Sequence, residues 1–144
     1  MSNETQLPWH SKYPTPSFEH RRIGPKDLAD MMREKNAGID FIVVDVRRTD
    51  FEKSFIKHAL NLPAHSFFPT VSSIVTILSP IPIVVFHCNN CGETGRGPRA
   101  AGWYVTELHR RGIETSEAVV LDGGIKAFDA IFGEDDTLVS KLPE

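Results

Sequence analysis

The sequence predicts an α/β layer sandwich with a mostly parallel central sheet. Three observations predict it. Two stretches, Phe41-Ile42-Val43-Val44 and Ile83-Val84-Val85-Phe86, are apolar throughout and rich in β-branched residues, the pattern of central parallel strands covered on both faces. Apolar positions at helical spacing alternate with these strands along the whole chain. That alternation calls for helices packed on a sheet through right-handed crossovers.

The size suits one domain with one core, since the chain has 144 residues. No repeat and no second domain are visible. The expected division is an extended arm over residues 1–20, a folded domain over 21–133 and an acidic tail over 134–144. The net charge of −3 argues against a basic face for nucleic acid. No apolar run approaches the roughly 18 residues of a membrane span. Met1-Ser2-Asn3-Glu4-Thr5-Gln6 lacks the basic-then-apolar order of a signal peptide. A reducing compartment, cytoplasmic or nuclear, is therefore expected.

The arm is polar and contains Pro8, Pro14 and Pro16, with Trp9 and Tyr13 available to pin it to the body. A helix is expected from Pro25, a residue suited to a first turn, with Asp27 and Asp30 near its positive end. Leu28, Met31 and Met32 form its apolar stripe, and Gly38 is a natural terminator. The strand from Phe41 ends in the charges Asp45 and Arg47. Such strand ends gather functional residues in parallel sheets, although an ion pair there can equally just hold a loop.

Thr49 to Lys57 reads as a polar turn or short helix, and His58 to Pro63 as a short strand. His65 to Leu78 carries a helical stripe of Phe67, Phe68, Val71, Ile74, Val75 and Leu78, broken at Ser79-Pro80. The strand from Ile83 comes next, and a helix is expected from Pro98 to Arg111, stopped by Gly112. Ala118 to Leu121 is a further strand. Asp122-Gly123-Gly124 turns into a last helix bearing Ile125, Phe128, Ile131 and Phe132. The residues from Gly133 onward read as loose.

The stretch from Ile83 to Ala101 carries the chemistry. A buried strand ends at His87-Cys88, a loop containing Gly92, Gly95 and Gly97 comes after it, and Arg96 precedes the helix at Pro98. A thiol reacts as its thiolate, and its ordinary pKa of about 8.5 leaves only a few per cent ionised at neutral pH. A helix N-terminus and a guanidinium both favour the anion. Glycines let successive backbone N–H groups turn inward as an anion nest. A sulfur, N–H donors and a guanidinium around one small space suit a tetrahedral oxyanion. Any one of these features alone is weak, because a buried cysteine at a strand end is usually inert. Their order along the chain is what makes them informative.

Cys88 and Cys91 are the only two cysteines, spaced C-x-x-C. The loop they could close is too small to staple a fold, so chemistry is favoured over architecture. Cys91 could trap an oxidised Cys88 as a disulfide. It could also be the nucleophile itself if Asn89 and Asn90 extend the strand, but the apolar strand running straight into His87-Cys88 favours Cys88. Zinc is not expected, since a structural site needs about four ligands and only His87 lies nearby. Glu93 is the nearest candidate general acid for an alkoxide leaving group, or else a solvated loop charge.

Asp45-Val46-Arg47, the run from Phe55 to Pro63, Phe86-His87-Cys88 with Arg96-Gly97-Pro98, and Val120 to Phe128 resemble successive landmarks of the rhodanese fold, a three-layer α/β/α sandwich. The resemblance covers about Ile23 to Phe132. His87-Cys88 followed by Arg96-Gly97-Pro98 is similar to the branch holding the cell-division-cycle dual-specificity phosphatases and the fungal arsenate reductases. It implies Cys88 as nucleophile and Arg96 as oxyanion clamp. It also implies a cradle built from the backbone of Asn89, Asn90, Cys91, Gly92, Thr94 and Gly95, with Asp45, Arg47 and His87 in support.

The expected ligands are phosphate, arsenate or a phosphorylated substrate. No cofactor is expected beyond a thiol reductant such as glutathione or glutaredoxin, and no nucleic acid or membrane partner. The alternatives are persulfide-based sulfur transfer and a non-catalytic redox-sensing or binding module. Three departures stand out. Cys88 and Arg96 enclose seven residues, more than in either the phosphatase branch or the sulfurtransferases. Cys91 and Arg96 enclose four, the sulfurtransferase count. Ser54-Phe55 replaces the usual Gly-His, and Phe128 the usual Trp.

Overall fold

A computed structural model describes residues 7–90 and 92–143. Along the described residues the elements run β1 (Arg21–Ile23), α1 (Pro25–Glu34), β2 (Phe41–Asp45), β3 (Ser54–Ile56), β4 (Leu60–Asn61), α2 (Ala64–Phe67), α3 (Val71–Leu78), β5 (Ile83–His87), α4 (Arg96–Arg110), β6 (Glu117–Leu121), α5 (Gly124–Phe132) and β7 (Val139–Lys141). Five strands form a wholly parallel sheet in the order β1-β6-β5-β2-β4. The expected α/β sandwich is present.

The pleat sorts the strand residues between two cores. Ile42, Val44, Val84, Phe86, Ala118 and Val120 face α2, α3 and α4. Phe41, Val43, Val85, Val119 and Leu121 face α1 and α5. A strand buried on both faces has no room for polar alternation, which is why β2 is buried along its whole length. The same period of two decides which way the residues at each strand exit point. Cys88 continues the Val84–Phe86 row and joins the α4-side core. Asp45 and His87, paired in register, lie side by side on adjacent strands.

Several boundaries differ from the sequence reading. Arg21–Ile23, for which no element is expected from the sequence, is an edge strand on β6 that runs into α1. The polar turn expected over Thr49 to Lys57 contains β3, which pairs antiparallel with β7. The stretch expected to be loose after Gly133 therefore folds back, and Leu138 and Val139 are buried. The single helix expected from His65 to Leu78 is split by a 3₁₀ turn at Phe68–Thr70, where Pro69 lacks the N–H an α-helix needs. Helix α1 ends at Glu34, and Gly38 instead takes a left-handed φ of +86° in the turn before β2. Ile131, placed on the apolar stripe of α5, points to solvent.

The arm docks on α4. Trp9 and Tyr13 both pack against Trp103, whose indole N–H donates to the Pro14 carbonyl at 2.8 Å. A Cβ on Gly102 would lie 2.3 Å from the Ser17 carbonyl oxygen, so only glycine lets the arm approach so closely. Among the described residues no helix is long and apolar enough to cross a membrane.

Candidate active site

Cys88 lies at the carboxyl end of β5, the central strand of the sheet, and is 3% exposed. Its carbonyl is gripped from two sides. It accepts from the Ile125 N–H at 3.1 Å and from His87 Nδ1 at 2.9 Å. The next carbonyl, of Asn89, accepts from the Lys126 N–H at 3.0 Å. The first turn of α5 thus clasps the strand exit. Gly124, at φ +59°, sits so close that a Cβ there would fall 2.6 Å from both carbonyl oxygens. The Asp122-Gly123-Gly124 signal in the sequence has this contact as its physical reason.

On the other side of the sulfur stands the N-terminus of α4. The helix begins at Arg96, two residues before the proline expected to open it, with Gly95 as its cap. A Cβ on Gly95 would lie 3.7 Å from Cys88 Sγ, so the loop backbone passes directly beside the sulfur. Gly95 N–H donates to the Gly92 carbonyl at 3.1 Å, closing a turn at the end of the loop. The positive end of a fifteen-residue helix favours negative charge at this point.

Arg96 holds two partners. Its two terminal nitrogens donate to the two carboxylate oxygens of Asp50, at 2.8 and 2.6 Å. Its second electrostatic partner is Cys88. Asp50 first, and Cys88 after it, raise the pKa of the guanidinium. In turn the Arg96 contact holds the Asp50 carboxyl far below the usual carboxylate range. Asp50 is a site residue that the sequence does not reveal, because its partner lies 46 positions away.

Asp45, Arg47 and His87 form a buried group beneath the site. Arg47 forks onto Asp45 through Nε and Nη2, the shortest contact being 2.7 Å. Its remaining donors go to the carbonyls of Asp50, Glu52 and Ser54. Arg47 therefore pins the loop that carries Asp50. His87 Nδ1 must hold its proton, since it faces a carbonyl, and Nε2 sits 3.7 Å from the Asp45 carboxylate. Asn61 secures the same corner by donating to the carbonyls of Asp45 and Arg47.

His65 is a second residue not foreseen. It stacks on Trp9 with ring centroids 4.3 Å apart. Burial, then the cations Arg48 and Arg96, lower its pKa, against the opposing effect of Asp50. A cleft of about 480 Å³, lined by Trp9, Lys12, Arg48 and His65, opens there. Of the cradle residues, Asn89 is half-buried, and Asn90, Gly92, Glu93 and Thr94 are exposed. Cys91, expected as cradle member and resolving thiol, lies outside the described residues. Among the described residues no group of three His, Cys, Asp or Glu side chains is placed to hold a metal ion.

Residues 24–131 match the model of the rhodanese-like domain. The chain is 32% identical over 104 residues to Arsenical-resistance protein 2 of Saccharomyces cerevisiae, covering 66% of this chain and 78% of that protein. Its fold is similar to the crystal structure of Saccharomyces cerevisiae Ygr203w, a homolog of single-domain rhodanese and the Cdc25 phosphatase catalytic domain. The TM-score is 0.72 at 21% identity, over 87% of this chain and 91% of the other. It is similar also to the As–Sb reductase of Leishmania major, with a TM-score of 0.70 at 22% identity over 87% and 88% of the two chains. The cysteine at the end of the central strand, the glycine clasp behind it and the match over most of the chain agree: this protein belongs to the rhodanese-like domain family.

Proposed function

We propose that the protein reduces arsenate through the Cys88 thiolate. The observation that carries this reading is the placement of the Cys88 sulfur between the N-terminus of α4 and the Arg96 guanidinium. Both features stabilise a thiolate and then the oxyanion it attacks. Phosphate-ester hydrolysis would need in addition a group to protonate the leaving alkoxide. Glu93, the candidate acid in the loop, is exposed to solvent, and Asp50, the carboxyl group on Arg96, is held ionised far below neutral pH and cannot serve. Arsenate reduction needs no alkoxide leaving group. The similarity to Arsenical-resistance protein 2 supports chemistry on an arsenical.

Atoms and electrons balance in two steps. The Cys88 thiolate attacks As(V), an arsenic-bound hydroxyl takes up the proton given off by the thiol and leaves as water, and a sulfur–arsenic bond forms. A second thiol then attacks Cys88 Sγ. The sulfur–arsenic bond breaks with its electron pair on arsenic, which departs as arsenite, and a disulfide remains. Two thiols are oxidised and one arsenic is reduced by two electrons. The second thiol is Cys91 or a small thiol such as glutathione, with glutaredoxin resetting the enzyme.

Arsenite formation from arsenate, measured with glutathione and glutaredoxin present, tests the reading. Cys88→Ser should abolish it, a loss of at least about 10³-fold. Cys88-dependent hydrolysis of an aryl phosphate without arsenite formation would assign a phosphatase instead. A Cys88 persulfide formed from thiosulfate, again without arsenite, would assign sulfur transfer.

A further inference from the structure

We infer that Asp50 is a specificity-determining residue, an internal carboxylate that occupies the oxyanion fork of Arg96 and admits only anions able to displace it. The inference rests on the proposed oxyanion chemistry at Cys88. Its basis is geometric. A guanidinium grips a tetrahedral anion best through two parallel N–H groups. Both terminal nitrogens of Arg96 already meet the two oxygens of Asp50, at 2.8 and 2.6 Å. The carboxylate is a planar monoanion seated where two oxygens of the ligand would sit.

Asp50 is also built to stay there. Its Oδ1 accepts from the Arg48 N–H at 3.1 Å, and its carbonyl accepts from Arg47 at 3.3 Å. Arg47 is itself anchored by the buried Asp45. The latch is nevertheless solvent-accessible, with side chains 24% and 35% exposed, so a competing anion can reach it. A monoanion offers Arg96 no more charge than Asp50 does. A doubly charged tetrahedral oxyanion offers more charge and also meets the helix N-terminus. Asp50 thus lowers affinity for every anion by the same factor, so only anions that Arg96 and the helix N-terminus together hold strongly fill the pocket, dianions such as hydrogen arsenate, hydrogen phosphate or a phosphate monoester.

The test uses Asp50→Asn, with Asp50→Glu as the variant that keeps the latch. Calorimetric titration with inorganic phosphate should show about tenfold tighter binding for Asp50→Asn and little change for Asp50→Glu. Alkylation of Cys88, followed by peptide mass spectrometry, gives a readout independent of the substrate. The ratio of the iodoacetate rate to the iodoacetamide rate compares a monoanion with a neutral reagent. That ratio should rise about tenfold in Asp50→Asn. Unchanged or weaker phosphate binding together with an unchanged ratio would overturn the inference and leave Asp50 as a support for Arg96. A raised ratio with no phosphate or arsenate binding in any of the proteins would uphold the latch while rejecting the oxyanion enzyme.

Discussion

Two arginine–aspartate pairs lie within one corner of this molecule, and they differ in one respect. Arg47 and Asp45 are 3% and 0% exposed at their side chains, whereas Arg96 and Asp50 are 24% and 35% exposed. Both arginines fork onto a carboxylate at hydrogen-bond distance. The buried pair cannot exchange partners, because separating it would strand charges away from water. Its spare donors go to backbone carbonyls, so it acts as a fastening. The exposed pair can exchange partners with little penalty, and the sulfur lies beside it. Identical chemistry is therefore closed to solvent in one place and open to it in the other, and only the open pair is available for the ligand exchange we propose.

Breaking each pair should separate these roles. Asp45→Ala leaves Arg47 charged and buried without its carboxylate, and should cost about 3–5 kcal/mol of stability, read by denaturant unfolding. Arg96→Ala should leave the unfolding midpoint almost unchanged but lower arsenite formation about 10²- to 10³-fold, since it removes the guanidinium proposed to meet the oxyanion. If both variants lost stability alike, the contrast between the pairs would be wrong.

A smaller effect sharpens the comparison through the backbone clasp. Gly124→Ala places a Cβ against the Cys88 and Asn89 carbonyls and should cost about 1–3 kcal/mol while also slowing Cys88 alkylation. The smallest effect is expected at Glu107, remote from the site. Its carboxyl is depressed to about 2, first by Arg110 and then, against the opposing effect of burial, by Arg111. A depressed folded-state pKa gives stability that is present above the ordinary value and lost as pH falls towards the folded value. Glu107→Gln should lower Tm by about 3 °C at pH 7, and the difference should vanish near pH 2.

Much of the fold is legible in the sequence because long apolar strands and proline and glycine boundaries are local signals. Phe41–Asp45, Ile83–His87 and Gly124–Phe132 each carry their own pattern, and the structure places their ends within a residue or two of it. Arg21–Ile23, Ser54–Ile56 and Val139–Lys141 carry none. A three-residue strand has no periodicity to read, and β3 becomes a strand only through β7, some 85 residues on. At the site, Cys88, Arg96 and the Asp45–Arg47 pair stand out by position at strand and helix ends. Asp50 does not, since an aspartate in a polar turn looks like any other until the chain folds and brings Arg96 to it. His65 is hidden in the same way by the distant Trp9.

The docking of the arm over Gly102 has a practical consequence for anyone reshaping the protein. A cut placed at residue 24, where the family match begins, would remove β1 with the arm, uncover the indole of Trp103 and strip His65 of the ring that lies on it. The trimmed protein would gain a sticky aromatic face on α4, and self-association there could be mistaken for a property of the intact molecule.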